Sequence, residues 1–277
     1  MRGIKTLLLL TVLTLTFVAV GGAWAGQGGM ELGLGLAVLM NGFAYFFSDK
    51  IALKSSGAQP VTREQLPRLY EVMERLCGKA NLPMPKLYVI PQQAPNAFAT
   101  GRNPKHASVA VTEGLLQVMN DDEMEGVIAH ELSHVRNYDI LTTSIAATLS
   151  GAIFVIARMG LFFGGGRGRR GNGIGLLLAI IVAPLAAMLI RLGISRQREY
   201  AADAAGAKMV GHPYGLISAL EKLGAYNQRI PMASSPATSS LYIVAPLSPG
   251  QIMKGLFSTH PPLEKRIEAL RNMTVIR

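Results

Sequence analysis

The amino-acid sequence predicts a mainly α-helical integral membrane protein, with four membrane helices in two hairpins and an α+β domain that carries a small antiparallel sheet. Three observations lead there. Apolar residues make up 49% of the 277-residue chain and charged residues only 16%, a balance unlike that of a wholly soluble domain. Long apolar runs occur near the N-terminus and again in the middle of the chain, at lengths that suit a bilayer. The intervening segments have soluble composition and hold the residues capable of chemistry.

Residues 7–24 form a nearly uncharged run preceded by Arg2 and Lys5. At ~1.5 Å per residue it reaches about 27 Å, close to the hydrocarbon thickness. Ala23-Trp24-Ala25 also has the small-x-small form of a signal-peptide cleavage site, which is the rival reading of this segment. A glycine-rich turn over Gly26–Gly29 leads to a second run, Leu32–Phe47, which is short for a span and interrupted by Asn41. If both runs cross, Lys50 and Lys54 lie on the same side as Arg2 and Lys5, as the positive-inside rule requires. Residues 1–48 are therefore the first membrane hairpin.

Residues 49–140 read as the first half of a soluble domain. An amphipathic helix is expected near Arg63–Cys77, where Leu66, Leu69, Tyr70, Met73 and Leu76 recur at helical spacing. Lys86–Ile90 and Ala107–Thr112 are strand-like and bracket Asn96-Ala97-Phe98-Ala99-Thr100-Gly101, which predicts an antiparallel sheet with an exposed edge. Residues 141–194 form the second membrane hairpin, whose tip carries Arg167, Arg169 and Arg170. With a cytoplasmic domain those arginines oppose the positive-inside rule, so either the rule is broken or the hairpin enters without crossing. Residues 195–277 complete the soluble domain and end in a helix beginning at Pro261 or Pro262.

The net charge of +10 comes without a basic stripe interleaved with aromatics, without CxxC pairs and without a glycine phosphate loop, so no nucleic-acid partner is expected. The single Cys77 excludes an internal disulfide and reads as a buried small hydrophobe.

The chemistry centres on His130-Glu131-Leu132-Ser133-His134, an HExxH on a helix expected to start near Asn120 or Asp121. Met124, Val127, Ile128, Leu132 and Val135 give that helix a buried stripe, and the two histidines, four apart, project from adjacent turns toward one ion. A catalytic zinc site takes three protein ligands and keeps one position open. No third histidine follows at the spacing of the longer motif, so the third ligand is sought on another helix, where Glu199 is the candidate. The competing reading makes Glu199 a surface residue paired with Arg196 or Arg198. Asp203, one turn beyond Glu199, is placed to accept the free ring N–H of a ligating histidine. Glu131 is the expected general base, and His260, before the final helix, is a candidate oxyanion stabiliser or simply a helix cap.

These motifs, together with Asn96 to Gly101, Arg198-Glu199 and Ser258-Thr259-His260-Pro261-Pro262-Leu263 with Arg266-Ile267, resemble the HtpX-type membrane zinc metalloproteases among the gluzincin peptidases. The resemblance implies one Zn²⁺ per chain and a multi-pass location in a bacterial inner membrane with the site facing the cytoplasm. It implies cleavage of misfolded or surplus membrane proteins in stress-linked quality control. Asn96, Ala97, Phe98 and Ala99 would hold substrate as an extended strand. Beyond protein substrates and the bilayer, an ATP-dependent membrane protease is an implied partner. The alternatives are a non-catalytic, zinc-stabilised membrane adaptor, or a prenyl-protein processing protease.

Overall fold

The computed structural model describes residues 4–149, 196–230, 232, 238–246 and 261–273. Helix α1, Ile4–Ser55, breaks at Ala25 and Gly26, where the φ/ψ angles are −137°/24° and 60°/−139°. The positive φ suits glycine, which has no Cβ to clash. From this break the chain doubles back. A Cβ on Gly33 would lie 2.4 Å from the Phe17 carbonyl oxygen, so the halves touch backbone to backbone. Asn41 Nδ2 donates to Leu10 O at 3.3 Å and to Thr14 Oγ1 at 3.0 Å. The residue expected to interrupt the second run is thus a clasp between the halves of the hairpin.

Among the described residues one helix, Ala25–Ser55, is long and apolar enough to cross a membrane, and Thr6–Ala19 and Asp139–Leu149 are shorter apolar helices. The expected four membrane helices therefore reduce, within those residues, to one clear span and two shorter segments. Most of the expected second hairpin, residues 150–194 with its arginine-rich tip, lies outside the described residues. Its first part, Asp139–Leu149, packs Ile145, Ala146 and Leu149 against Leu9, Leu13 and Ala44 of the N-terminal hairpin.

The sheet contains β1 (Gln59–Pro60), β2 (Lys86–Ile90), β3 (Ala97–Gly101) and β4 (Ala107–Thr112), in the order β1-β2-β4-β3. The expectation of an antiparallel sheet is corrected, because β2 and β4 are parallel while β1–β2 and β3–β4 are antiparallel. After β2, residues 91–96 carry the chain outward to build β3, and β4 returns into the gap between them. Strand composition identifies the strands but not this order. Strand β3 does stand at an edge of the sheet, yet every residue in it is buried.

Helix α2 spans Pro67–Ala80, a few residues later than the apolar pattern suggests. Pro67 occupies the first turn, where its missing N–H costs nothing, and it pushes Leu66 out of helical geometry. Asn81, left-handed at φ 52°, ends the helix. Cys77 is buried in the core, which pushes its thiol up to about 11.

Following α3 (Glu113–Val118), helix α4 (Asp121–Arg136) is the centre of the domain. Asn120 accepts from Glu123 N, and the Glu123 carboxylate accepts from Asn120 N, both at 2.9 Å, which completes a capping box. Met124, Val127, Ile128 and Leu132 are at most 1% exposed, each worth about 2 kcal/mol of burial. Helix α5 contains Asp139–Leu149, and α6 (Arg196–Val210), α7 (Tyr214–Arg229) and α8 (Leu263–Arg271) complete the bundle. Helices α2, α6 and α7 pack directly on α4. The approach of α7 is close enough that a Cβ on Gly126 would sit 2.5 Å from Leu216 N.

Candidate metal centre

His130 and His134 sit one turn apart on α4, and Glu199 faces them from the first turn of α6. Gly206 allows that approach, since a Cβ there would lie 3.0 Å from His130 N. The His130 and His134 Nε2 atoms are 3.2 Å apart. Glu199 Oε2 lies 3.8 Å from His130 Nε2, and Oε1 lies 3.6 Å from His134 Nε2. The three donor atoms are within 4.8 Å of one another. Ligands at ~2.0–2.1 Å from a tetrahedral zinc stand about 3.3 Å apart, so this spacing fits that ion with little adjustment.

The outer nitrogens explain why the inner ones converge. His130 Nδ1 lies 2.9 Å from Asp203 Oδ1, and His134 Nδ1 lies 3.3 Å from Asp139 Oδ2. With both Nδ1 atoms donating to carboxylates, both Nε2 lone pairs point at a common spot, an arrangement that a cation satisfies. Each carboxylate is in turn held by an arginine. Arg266 Nε donates to Asp203 Oδ2 at 2.8 Å and its Nη2 to Oδ1 at 2.7 Å, while Arg198 Nη1 reaches Asp139 Oδ1 at 3.4 Å. Arg198 thus pairs with Asp139, and Glu199 is buried rather than part of a surface ion pair.

Electrostatics follow from this layout. Burial lowers the pKa of His130. At His134 burial acts in the same direction, but Asp139, Glu199 and Glu131 outweigh it and raise the value to about 9. Burial pushes the Glu131 carboxyl up to about 7, against the opposing pull of His134. Burial alone would raise Asp203, yet the Arg266 guanidinium beside it holds it below the ordinary carboxylate range.

The Ala99 backbone donates to Glu131, which ties the edge strand β3 to the expected base. Of the four residues expected to hold substrate, Ala99 lines the cavity over the metal centre. Ala97 and Phe98 are fully buried, and the Asn96 carboxamide donates to Val244 O at 2.8 Å. The edge expected to be exposed is covered there, because Ile243 N also donates to Ala97 O at 2.9 Å. His260 lies outside the described residues.

Sequence reasoning assigned no role to Asp139, Arg266 or the Thr238–Pro246 segment. A signal for Arg266 exists: it shares a helical face with Leu270, four residues on, and both are buried. A charge on the apolar stripe of a short helix implies a buried partner.

The profile of peptidase family M48 matches residues 63–274. A protein described as a protease HtpX homolog from Desulfatibacillum aliphaticivorans is 53% identical over 274 residues, covering 96% of this chain and 88% of its own. One from Syntrophotalea carbinolica is 51% identical over 283 residues, with both chains covered completely. The crystal structure of S. mikatae Ste24p matches with a TM-score of 0.52 at 20% identity, and the match covers 96% of this chain and 65% of that longer one. That likeness is one of fold. The family match and the two relatives span both α4 and α6, and the chain belongs to peptidase family M48 as an HtpX-type member.

Proposed function

We propose that this chain is a membrane-bound zinc endopeptidase that hydrolyses peptide bonds of misfolded or surplus membrane proteins, with its site on the cytoplasmic side of a bacterial inner membrane. The carrying observation is the convergence of His130, His134 and Glu199, with Glu131 buried beside them.

A zinc ion held by those three residues would supply Lewis acidity at neutral pH. The chain's own groups do the rest. Glu131, with a carboxyl poised near 7, accepts the proton of the attacking water as its oxygen bonds to the scissile carbon. It then returns that proton to the amine nitrogen as the C–N bond breaks. Asp203 and Asp139 hold the two imidazoles by their Nδ1 atoms, leaving both Nε2 atoms free to ligate an ion. Substrate lies as an extended strand along the outer edge of β3 beyond Ala97, where main-chain pairing gives affinity with little demand on sequence. His260 is proposed as the oxyanion partner, and an ATP-dependent membrane protease as a partner that delivers clients.

The test is Glu131→Gln in detergent-purified protein. Cleavage of a loosely folded membrane substrate should fall by about 10²–10⁴-fold while bound zinc stays stoichiometric. Undiminished cleavage would end the assignment of Glu131 as the base, and a zinc-loaded wild type that cleaves nothing would favour a non-catalytic adaptor.

A further inference from the structure

The Thr238–Pro246 segment makes contacts that the hydrolytic reading leaves without a purpose. A turn closes between Leu241 N and Thr238 O at 2.9 Å. Beyond it Tyr242 is fully buried, its ring edge-on to Phe98 with centroids 5.2 Å apart. Main-chain hydrogen bonds then fasten the next two residues. Ile243 N donates to Ala97 O and Arg266 Nη1 to Ile243 O, both at 2.9 Å. Asn96 grips Val244 from both sides, donating to its carbonyl at 2.8 Å and accepting from its N–H at 3.4 Å.

These bonds take up the start of the β3 edge. The Ala99 N–H is taken in turn by the Glu131 carboxylate, so the edge left for a substrate strand begins no earlier than the Ala99 carbonyl. The same turn sets Ser240 and Leu241 into the wall of the cavity beside His130, His134 and Glu199, a wall to which Ile140 and Thr143 also contribute. Tyr242 at 0% and Ile243 at 2% exposure, with Ile243 hydrogen-bonded through both its N–H and its carbonyl, anchor this wall to β3 and to Arg266 of α8.

We infer that Leu241 is a specificity-determining residue, the apolar surface against which a substrate side chain beside the scissile bond packs, and that Asn96 and Ala97 act by holding that surface in place. The inference rests on the peptidase reading given above. It goes further by assigning a size filter to a site whose main-chain pairing is indifferent to sequence. A hydrophobic wall discriminates by volume, and each methylene gained or lost changes selection by about tenfold or more.

The experiment compares full-length wild type with Leu241→Ala, Leu241→Phe and Leu241→Met in detergent with zinc. Cleavage sites in an unfolded protein and in a mixed peptide pool are mapped by mass spectrometry. The readout is the ratio of cuts beside bulky side chains to cuts beside small ones. Leu241→Ala should raise that ratio about tenfold and Leu241→Phe should lower it, while Leu241→Met stays near wild type. An unchanged ratio in zinc-loaded variants overturns the inference, including when all rates fall together, which is what a merely structural role gives. If Leu241→Ala does not fold, Leu241→Phe against Leu241→Met still decides. Wild type that cuts nothing would instead remove the peptidase reading itself.

Discussion

Replacing Arg266 by methionine isolates the largest buried electrostatic commitment of the metal centre. The guanidinium is 0% exposed, is paired through two hydrogen bonds with Asp203 and bonds the Ile243 carbonyl. Methionine roughly fills the volume but leaves Asp203, itself 2% exposed, as an uncompensated buried carboxylate, at a cost of about 3–5 kcal/mol. The orphaned Ile243 carbonyl adds about 1–3 kcal/mol. The expected loss is thus on the order of 5 kcal/mol, much of the stability of a domain this size. Adding Asp203→Asn removes the stranded charge, so the double variant should be more stable than Arg266→Met alone, with a coupling of at least about 2 kcal/mol. The assay is denaturant-dependent susceptibility to trypsin in detergent, in a Glu131→Gln background so that self-cleavage does not contribute. A cost below about 1 kcal/mol for Arg266→Met, or strictly additive effects in the cycle, would refute the reasoning.

Other outcomes follow from the same geometry. Glu199→Ala removes one of three donors, so metal analysis should find zinc lost at chelator concentrations that leave wild type loaded, whereas equal retention would mean that another group completes the site. Gly206→Val should weaken zinc binding and cost about 1–3 kcal/mol, because a side chain there meets the His130 backbone; zinc titration of the purified variant checks it. Glu123 makes stability depend on pH. Burial would raise its pKa, but Lys222, Ser218 and the Asn120 backbone together lower it below 4.5. Its contribution is therefore present above the ordinary value and lost as pH falls through the lower folded one. Glu123→Ala should remove about 2 kcal/mol at pH 7 and flatten the acid limb of the stability curve, a difference that narrows once both proteins are measured below the folded pKa.

Much of the site is written locally in the chain. The capping box of α4 is visible as Asn120 and Glu123 three apart, and the histidine pair as a four-residue step, because helical geometry turns short spacing directly into proximity. The apolar rhythm runs on through Leu66 and so suggests an earlier start for α2, although the following proline disfavours helical angles there. What spacing does not encode is the order in which strands pair, and β4 lies between β2 and β3 through a connection that no periodicity reveals. The arginine partners of Asp139 and Asp203 are hidden for the same reason, being 59 and 63 residues away in sequence. The covering of the β3 edge by Ile243 was equally out of reach, since a residue free of charge and motif announces no partner.

The long reach from His130 to Arg266, 136 residues along the chain, has a bearing on synthesis. A nascent polypeptide that has emerged only as far as His134 presents two imidazoles without the carboxylate that completes their ion site. Even after Glu199 is delivered, Asp203 lacks its counter-charge until α8 has been made. Completion of the site is thereby deferred until α8 has been made, well after the histidine pair has left the ribosome.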